Sequence, residues 1–282
     1  MTTGVFLAVI LAALLHASWN AIVKGGADKL LSMTAVVVGQ ALFGVFVLLF
    51  VPAPDPASYV WLLAGIVLHV GYQLVLLASY RIGDLTQVYP IARGSAPLIV
   101  TAVSVLFLGV ALEGLQLLAI AIIGTGIMSL ALVRRADGQR NVRAGAFALG
   151  TSCFIAAYSL VDGLGAREAG TALGYYGWAS GGNALAFVAL MAVRHRPMLL
   201  RLPREGWRIA LVGGGASYVA YALVIWSFTQ APIALVTALR ETSIVFALLI
   251  GVLVLGERLN LLKVASTTCT ILGAALLRFA RP

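Results

Sequence analysis

From its first residues the chain alternates long apolar runs with short polar joints. Ten runs stand out, over 4–23, 31–51, 58–80, 85–108, 114–133, 143–164, 171–193, 207–229, 233–254 and 259–279. About 20 apolar residues, rising 1.5 Å each, are what it takes to cross the hydrocarbon of a bilayer. None of the runs shows the period-two alternation of a membrane strand. A helix also satisfies its own backbone where no water can. The pattern predicts an all-α integral membrane protein with ten transmembrane helices.

Composition agrees. Of the 282 residues 61% are hydrophobic and 10% charged, and the mean hydropathy is +1.02. A soluble surface needs about a quarter of its residues charged. The first run lacks a basic leader and passes into further runs, so it reads as the first helix and not as a cleaved signal. Cys153 and Cys269 fall inside apolar runs, where they act as small fillers rather than as a disulfide or metal pair.

The net charge of +9 does not point to nucleic acid, because the basic residues sit in the joints. Lys24, Lys29, Arg81, Arg134, Arg135, Arg140, Arg143, Arg194, Arg196, Arg201, Arg204, Arg208, Arg258 and Lys263 follow the odd-numbered helices. Only Arg167, Arg278 and Arg281 lie on the opposite face. The positive-inside rule then puts both termini outside the cytoplasm, on the periplasmic side of a bacterial inner membrane. Two arginines belong to no joint: Arg93 and Arg240 lie inside helices.

Those two arginines expose an internal repeat. A shift of 147 residues lays Arg93 on Arg240, Ser95 on Thr242 and Gly109 on Gly256. The chain thus divides into halves of five helices, 1–135 and 141–282. An odd number of helices per half makes the second copy enter the membrane upside down. Two inverted five-helix repeats are a transporter architecture, with a solute site near the midplane between them.

Trp19-Asn20 with Lys24 at the end of helix 1, the Pro90–Pro97 stretch of helix 4, and Gly124, Gly126 and Gly273 carry a likeness across the whole chain. So does Leu253-Val254-Leu255-Gly256-Glu257-Arg258-Leu259. On these residues the chain resembles the ten-helix EamA-type members of the drug/metabolite transporter superfamily, and is similar to bacterial amino acid exporters. The matching place in the first half, Gly109-Val110-Ala111-Leu112-Glu113, lacks the Glu-Arg pair directly after glycine. Such transporters are usually drawn with cytoplasmic termini, opposite to the charge count. The resemblance implies a secondary transporter, often an exporter of amino acids or related metabolites.

The candidate site residues follow from the cost of polarity in lipid. Arg93 and Arg240 sit about eight residues into their helices, roughly 12 Å deep, where a charge costs about 2.5–3.5 kcal/mol even on lenient scales. A guanidinium fork suits a carboxylate or a phosphate, so both are candidate ligands of an anionic solute; a structural ion pair with Glu241 is the competing reading. Glu241 is read as the one acid deep in a span, either a coupling-proton carrier or a fixed counter-ion. Asp84, Glu113 and Asp162 are placed near helix ends.

Helices 1 and 3 share a spacing, His16-x-x-Trp19-Asn20 and His69-x-x-Tyr72-Gln73. Positions i, i+3 and i+4 share one helical face, so each helix offers an imidazole, a ring and an amide to a common cavity, or to a neighbouring helix as interhelical glue. Tyr158, Tyr218 and Tyr221 are candidate walls, whereas Tyr175, Tyr176, Trp61 and Trp207 begin spans and read as interfacial belt. Pro90 and Pro97 bracket Arg93 and are candidate gating kinks. Gly213-Gly214-Gly215 and Gly177-x-x-x-Gly181 predict close helix contacts.

No nucleotide loop, zinc motif or nucleophile elbow is present. The expectation is a transporter and not an enzyme, without cofactor or metal. Its partners are a small solute, membrane lipid and possibly a coupling proton, as a monomer or weak homodimer. Export of amino acids by alternating access is the leading reading. Phosphate- or phosphonate-bearing metabolites, or a lipid-linked sugar in a flippase, are the alternatives.

Overall fold

The computed structural model describes residues 1–25, 28–82, 85–132, 142–254 and 261–280. Among them there is no strand. Each of the ten apolar runs falls on helix. These helices are α1 (Thr3–Gly25), α2 (Lys29–Leu48), α3 (Tyr59–Ile82), α4 (Leu85–Leu106), α5 (Gly114–Met128), α6 (Val142–Glu168) and α7 (Ala172–Arg194). They continue with a short α8 (Arg196–Arg201), then α9 (Gly215–Gln230), α10 (Ile233–Arg240), α11 (Ser243–Leu253) and α12 (Leu261–Phe279). Eight helices among the described residues are long and apolar enough to span a membrane, counting α10 with α11 as one. The apolar part of α4 from Pro90 to Leu106, and α5, are shorter.

Helix ends follow ordinary capping chemistry. The Asp28 carboxylate accepts from the Leu30 and Leu31 amides at the start of α2, and the Thr171 hydroxyl accepts from Gly174 at the start of α7. After α4 the backbone turns at Gly109 with φ +64°, a conformation open to glycine. Between α8 and α9 the helix is continuous but wound wide, as π-helix over Leu202–Gly206 and Ile209–Gly214. On the exposed side of this stretch Arg201 grips Glu205 through two bonds, at 2.6 and 2.9 Å. That holds the Glu205 carboxyl below its usual range.

Pro90 and Pro97 lie inside α4, where the sequence reading placed them. One sequence reading changes here. The ninth run is the one that breaks, at Glu241-Thr242, where i→i+3 bonds replace the helical pattern (Glu241 N to Ala238 O, Thr242 N to Leu239 O). The break leaves Arg240 at the carbonyl end of α10 and Glu241 beside the amide end of α11, the ends where a cation and an anion are each favoured.

Packing is dense between specific pairs: α3 on α6, α2 on α7, α5 on α12, α4 on α6 and on α5, and α1 on α9 and α11. Small residues allow the closest approaches. A Cβ at Gly214 would lie 2.6 Å from Gly39 Cα and 3.1 Å from Gln40 N, so α2 meets the π-wound segment backbone to backbone. The glycine triplet therefore makes the expected contact. In the Gly177–Gly181 pair only Gly177 is crowded; nothing lies within 4 Å of a Cβ at Gly181. Gly256-Glu257-Arg258, Asp84, Arg134, Arg135, Arg140 and Arg281 lie outside the described residues, as do the side chains of Lys24 and Arg81. Gly214→Ala is expected to cost ~1–3 kcal/mol by overpacking, read as a lower unfolding temperature of the purified protein in detergent.

Candidate functional site

The two polar stripes read from helices 1 and 3 converge. Together with α2, α6, α7, α9 and α10 they enclose a cavity of about 90 Å³. At ~10–15 Å³ per water this holds roughly six to nine waters, or one small solute. His16 and Trp19 from α1, His69, Tyr72 and Gln73 from α3, Tyr158 from α6 and Arg240 from α10 all line it. Trp19 and Tyr158 face the same space.

Three predicted residues do not line it. Asn20 turns back to donate from Nδ2 to the His16 carbonyl at 2.8 Å. Tyr218 is buried and supports the wall, its ring stacked on Tyr176 with centroids 4.9 Å apart. Arg93 is held instead against Glu241, with Nε 2.9 Å from Oε2 and Nη2 donating to Ser243 Oγ at 3.2 Å. Glu241 is fully buried. Of the roles left open for it, the geometry is that of a counter-ion.

The two arginines thus differ. Among the described residues Arg240 has no acid within ion-pair distance, and its Nε is buried without a hydrogen-bond partner. Its carbon Cζ stands 5.8 Å from the Tyr221 ring centre, a cation–π contact. Leaving a guanidinium buried and unpaired is costly. The same wall carries other polar atoms without partners among the described residues: the Trp19 indole N–H, Gln73 Oε1 and Asn183 Oδ1.

The sequence missed part of the wall. Gln40, Ser180, Asn183, Ser217 and Tyr176 also line the cavity, beside Tyr221, which the sequence had named as a candidate wall. Tyr176 was expected at the membrane interface, but it is 5% exposed and packs on Tyr218 and Tyr221. Tyr175 is likewise buried, because α7 lays its first turns against α2 and α3 and not against headgroups. Trp207, by contrast, is exposed. The larger correction is Asp162. Placed near a helix end by sequence, it is 1% exposed: α6 runs on to Glu168 and is covered by α3 and α9. Asp162 Oδ2 lies 2.8 Å from His69 Nε2 and accepts from the Tyr221 hydroxyl at 2.7 Å. Glu241 is therefore not the only deep acid. A rule that scored distance from the end of an apolar run could not find it, since the run was ended too early.

Comparison with known proteins bears out the resemblance drawn from the sequence. Residues 143–279 match the EamA-like transporter family. A solved crystal structure, described only as that of a protein, matches over 98% of this chain and 96% of its own length, with a TM-score of 0.76 at 18% identity. That likeness shows the fold. No curated protein matches the chain. The family match, which covers residues 143–279, points to a membrane transporter.

The Arg93–Glu241 pair sets up a stability test. Breaking a buried pair from one side typically costs about 3–5 kcal/mol. Glu241→Gln is expected to lower the unfolding temperature sharply, and the double change Arg93→Met with Glu241→Leu to restore most of the loss.

Proposed function

We propose that this chain, EamA-like over its second half, is a secondary transporter that moves small amino acids across the bacterial inner membrane, with export as its direction. The single observation that carries the reading is Arg240, a guanidinium with no acid partner among the described residues in the wall of a small buried cavity. Its fork fits the carboxylate of the solute. Gln73 Oε1 and Asn183 Oδ1, acceptors without donors, suit an ammonium group. Aromatic faces from Tyr72, Tyr158, Tyr176 and Tyr221 add cation–π attraction for the same group. One site thus offers both ends of a zwitterion what they need. With Arg93 already neutralised by Glu241, Arg240 is the one free guanidinium of the cavity wall among the described residues, which favours a monoanionic group over a phosphate.

Alternating access by two inverted halves is part of the proposal, and the packing supports it. If α1–α5 form one half and α6, α7, α9, α10 with α11, and α12 the other, the closest helix pairings have counterparts. The pairing of α3 with α6 is mirrored by that of α1 with α9. Likewise α4 with α6 is mirrored by α1 with α11, and α4 with α5 by α11 with α12. The pairs α2 with α7 and α5 with α12 are their own mirror images. Such exchange symmetry is what a rocking bundle around a central site needs. Pro90 and Pro97, inside α4 beside Arg93, are the proposed points of flexure, and the charge bias places the termini on the periplasmic side.

The test is exchange of radiolabelled amino acids by purified protein in vesicles. Arg240→Ala should lower exchange by about tenfold or more, the loss of a charge-assisted contact. Arg240→Lys should recover part of it. Exchange at the wild-type rate in Arg240→Ala would remove the assignment.

A further inference from the structure

We infer that His69 and Asp162 are the proton site of this transporter, and that the proton held there competes with the cationic group of the solute. The inference rests on the reading of the cavity given above, but its first test does not need a substrate.

Asp162 is buried at 1% exposure, while His69 keeps 18% of its side chain open and lines the cavity. The imidazole is therefore the member of the pair that cavity water reaches, with a fixed carboxylate at its far nitrogen. The hydrogen bonds to Asp162 from His69 and Tyr221 fall on Oδ2, and the Tyr175 hydroxyl also faces the carboxylate. A carboxylate surrounded only by neutral donors keeps much of its charge uncompensated in a dry interior. The site calls for one cation.

The surroundings keep other cations away. Tyr158 stacks on the His69 ring, centroids 4.2 Å apart, and Tyr221 meets it edge-on at 5.6 Å. Tyr175 and Tyr176 come from α7. Arg240 and His16 stand on the cavity wall, and Arg93 is matched by Glu241. Asp162 has no arginine or lysine within ion-pair distance among the described residues, so its cation is either an imidazolium or a visiting ammonium. Space for the carboxylate is specific too. A Cβ at Gly65 would stand 2.6 Å from Asp162 Oδ1, so the glycine on α3 makes room for it.

The proton step balances simply. A carboxylate only accepts, so the neutral ring donates Nε2–H to Asp162 and keeps its lone pair at Nδ1. A proton from cavity water adds at Nδ1, giving an imidazolium that neutralises Asp162. Release returns that proton to water. With His69 charged, an ammonium finds no net negative field and is repelled; with an ammonium seated among the rings, protonation of His69 is disfavoured. One positive charge at a time beside Asp162 makes proton and amino acid exchange in opposite directions.

Infrared difference spectra of vesicle films between about pH 5 and about pH 8, where histidine titrates, test the site without a solute. Wild-type protein should show an imidazole protonation band that disappears in His69→Gln, shifts in Asp162→Asn and persists in His195→Gln. A band unchanged in His69→Gln would overturn the proton site. Vesicles with an entrapped pH dye, loaded with the twenty standard L-amino acids, then test competition. Proton influx should accompany efflux, and fall at least about tenfold in His69→Gln and Asp162→Asn, the scale of a strong coupling. Wild-type proton flux in both would overturn the competition. If His69→Gln abolishes the band but wild-type vesicles carry no amino acid, the amino acid reading falls and the proton site stands. Should Asp162→Asn fail to fold, His69→Gln alone decides.

Discussion

A charge removed from water and surrounded by hydrocarbon must find a partner, a cavity or a proton. That constraint arranges the interior of this protein. Four ionisable side chains settle it in different ways. Arg93 and Glu241 neutralise each other, 2.9 Å apart. Asp162 takes hydrogen bonds from His69 and Tyr221. Arg240 has only an aromatic face and an open cavity beside it. On the proposed reading, the unpaired member of this set marks the place of the solute, and the paired ones fix the geometry around it.

The packing serves the same end. Rings from α3, α6, α7 and α9 form a continuous cluster in which His69, Tyr72, Tyr158, Tyr176 and Tyr221 touch in stacked or edge-on pairs. Such pairs favour defined orientations and add about 0.5–1.5 kcal/mol each beyond area burial. A rigid aromatic box presents polar tips and π faces without collapsing on itself. Glycines at Gly39, Gly65 and Gly214 bring the surrounding backbones close enough to hold it.

Much of this is written locally in the chain and could be read there. A run of about 20 apolar residues has one solution in a bilayer, which is why all ten runs fall on helix. Residues at i, i+3 and i+4 share a face whatever the fold, so the stripe His69, Tyr72 and Gln73 stayed together, as did His16 with Trp19. Facts that depend on a partner helix were hidden. Asp162 became deep only because α6 extends to Glu168 under α3 and α9. Tyr176 became wall because α2 and α9 cover it. Asn20 found a carbonyl of its own helix cheaper than the cavity. No glycine or proline announced the break after Arg240, and nothing in the sequence said which arginine Glu241 would choose.

That break joins two neighbouring residues with different obligations. Arg240 ends α10 and lines the cavity, while Glu241, the next residue, pairs with Arg93 on α4. On the proposed reading, one peptide unit separates the group that would recognise cargo from the pair that ties α10 to α4. A displacement of α10 that drew Arg240 after a departing solute would then pull on that pair, and opening the pair would shift Arg240. Loading and unlocking would be geared through a single backbone joint.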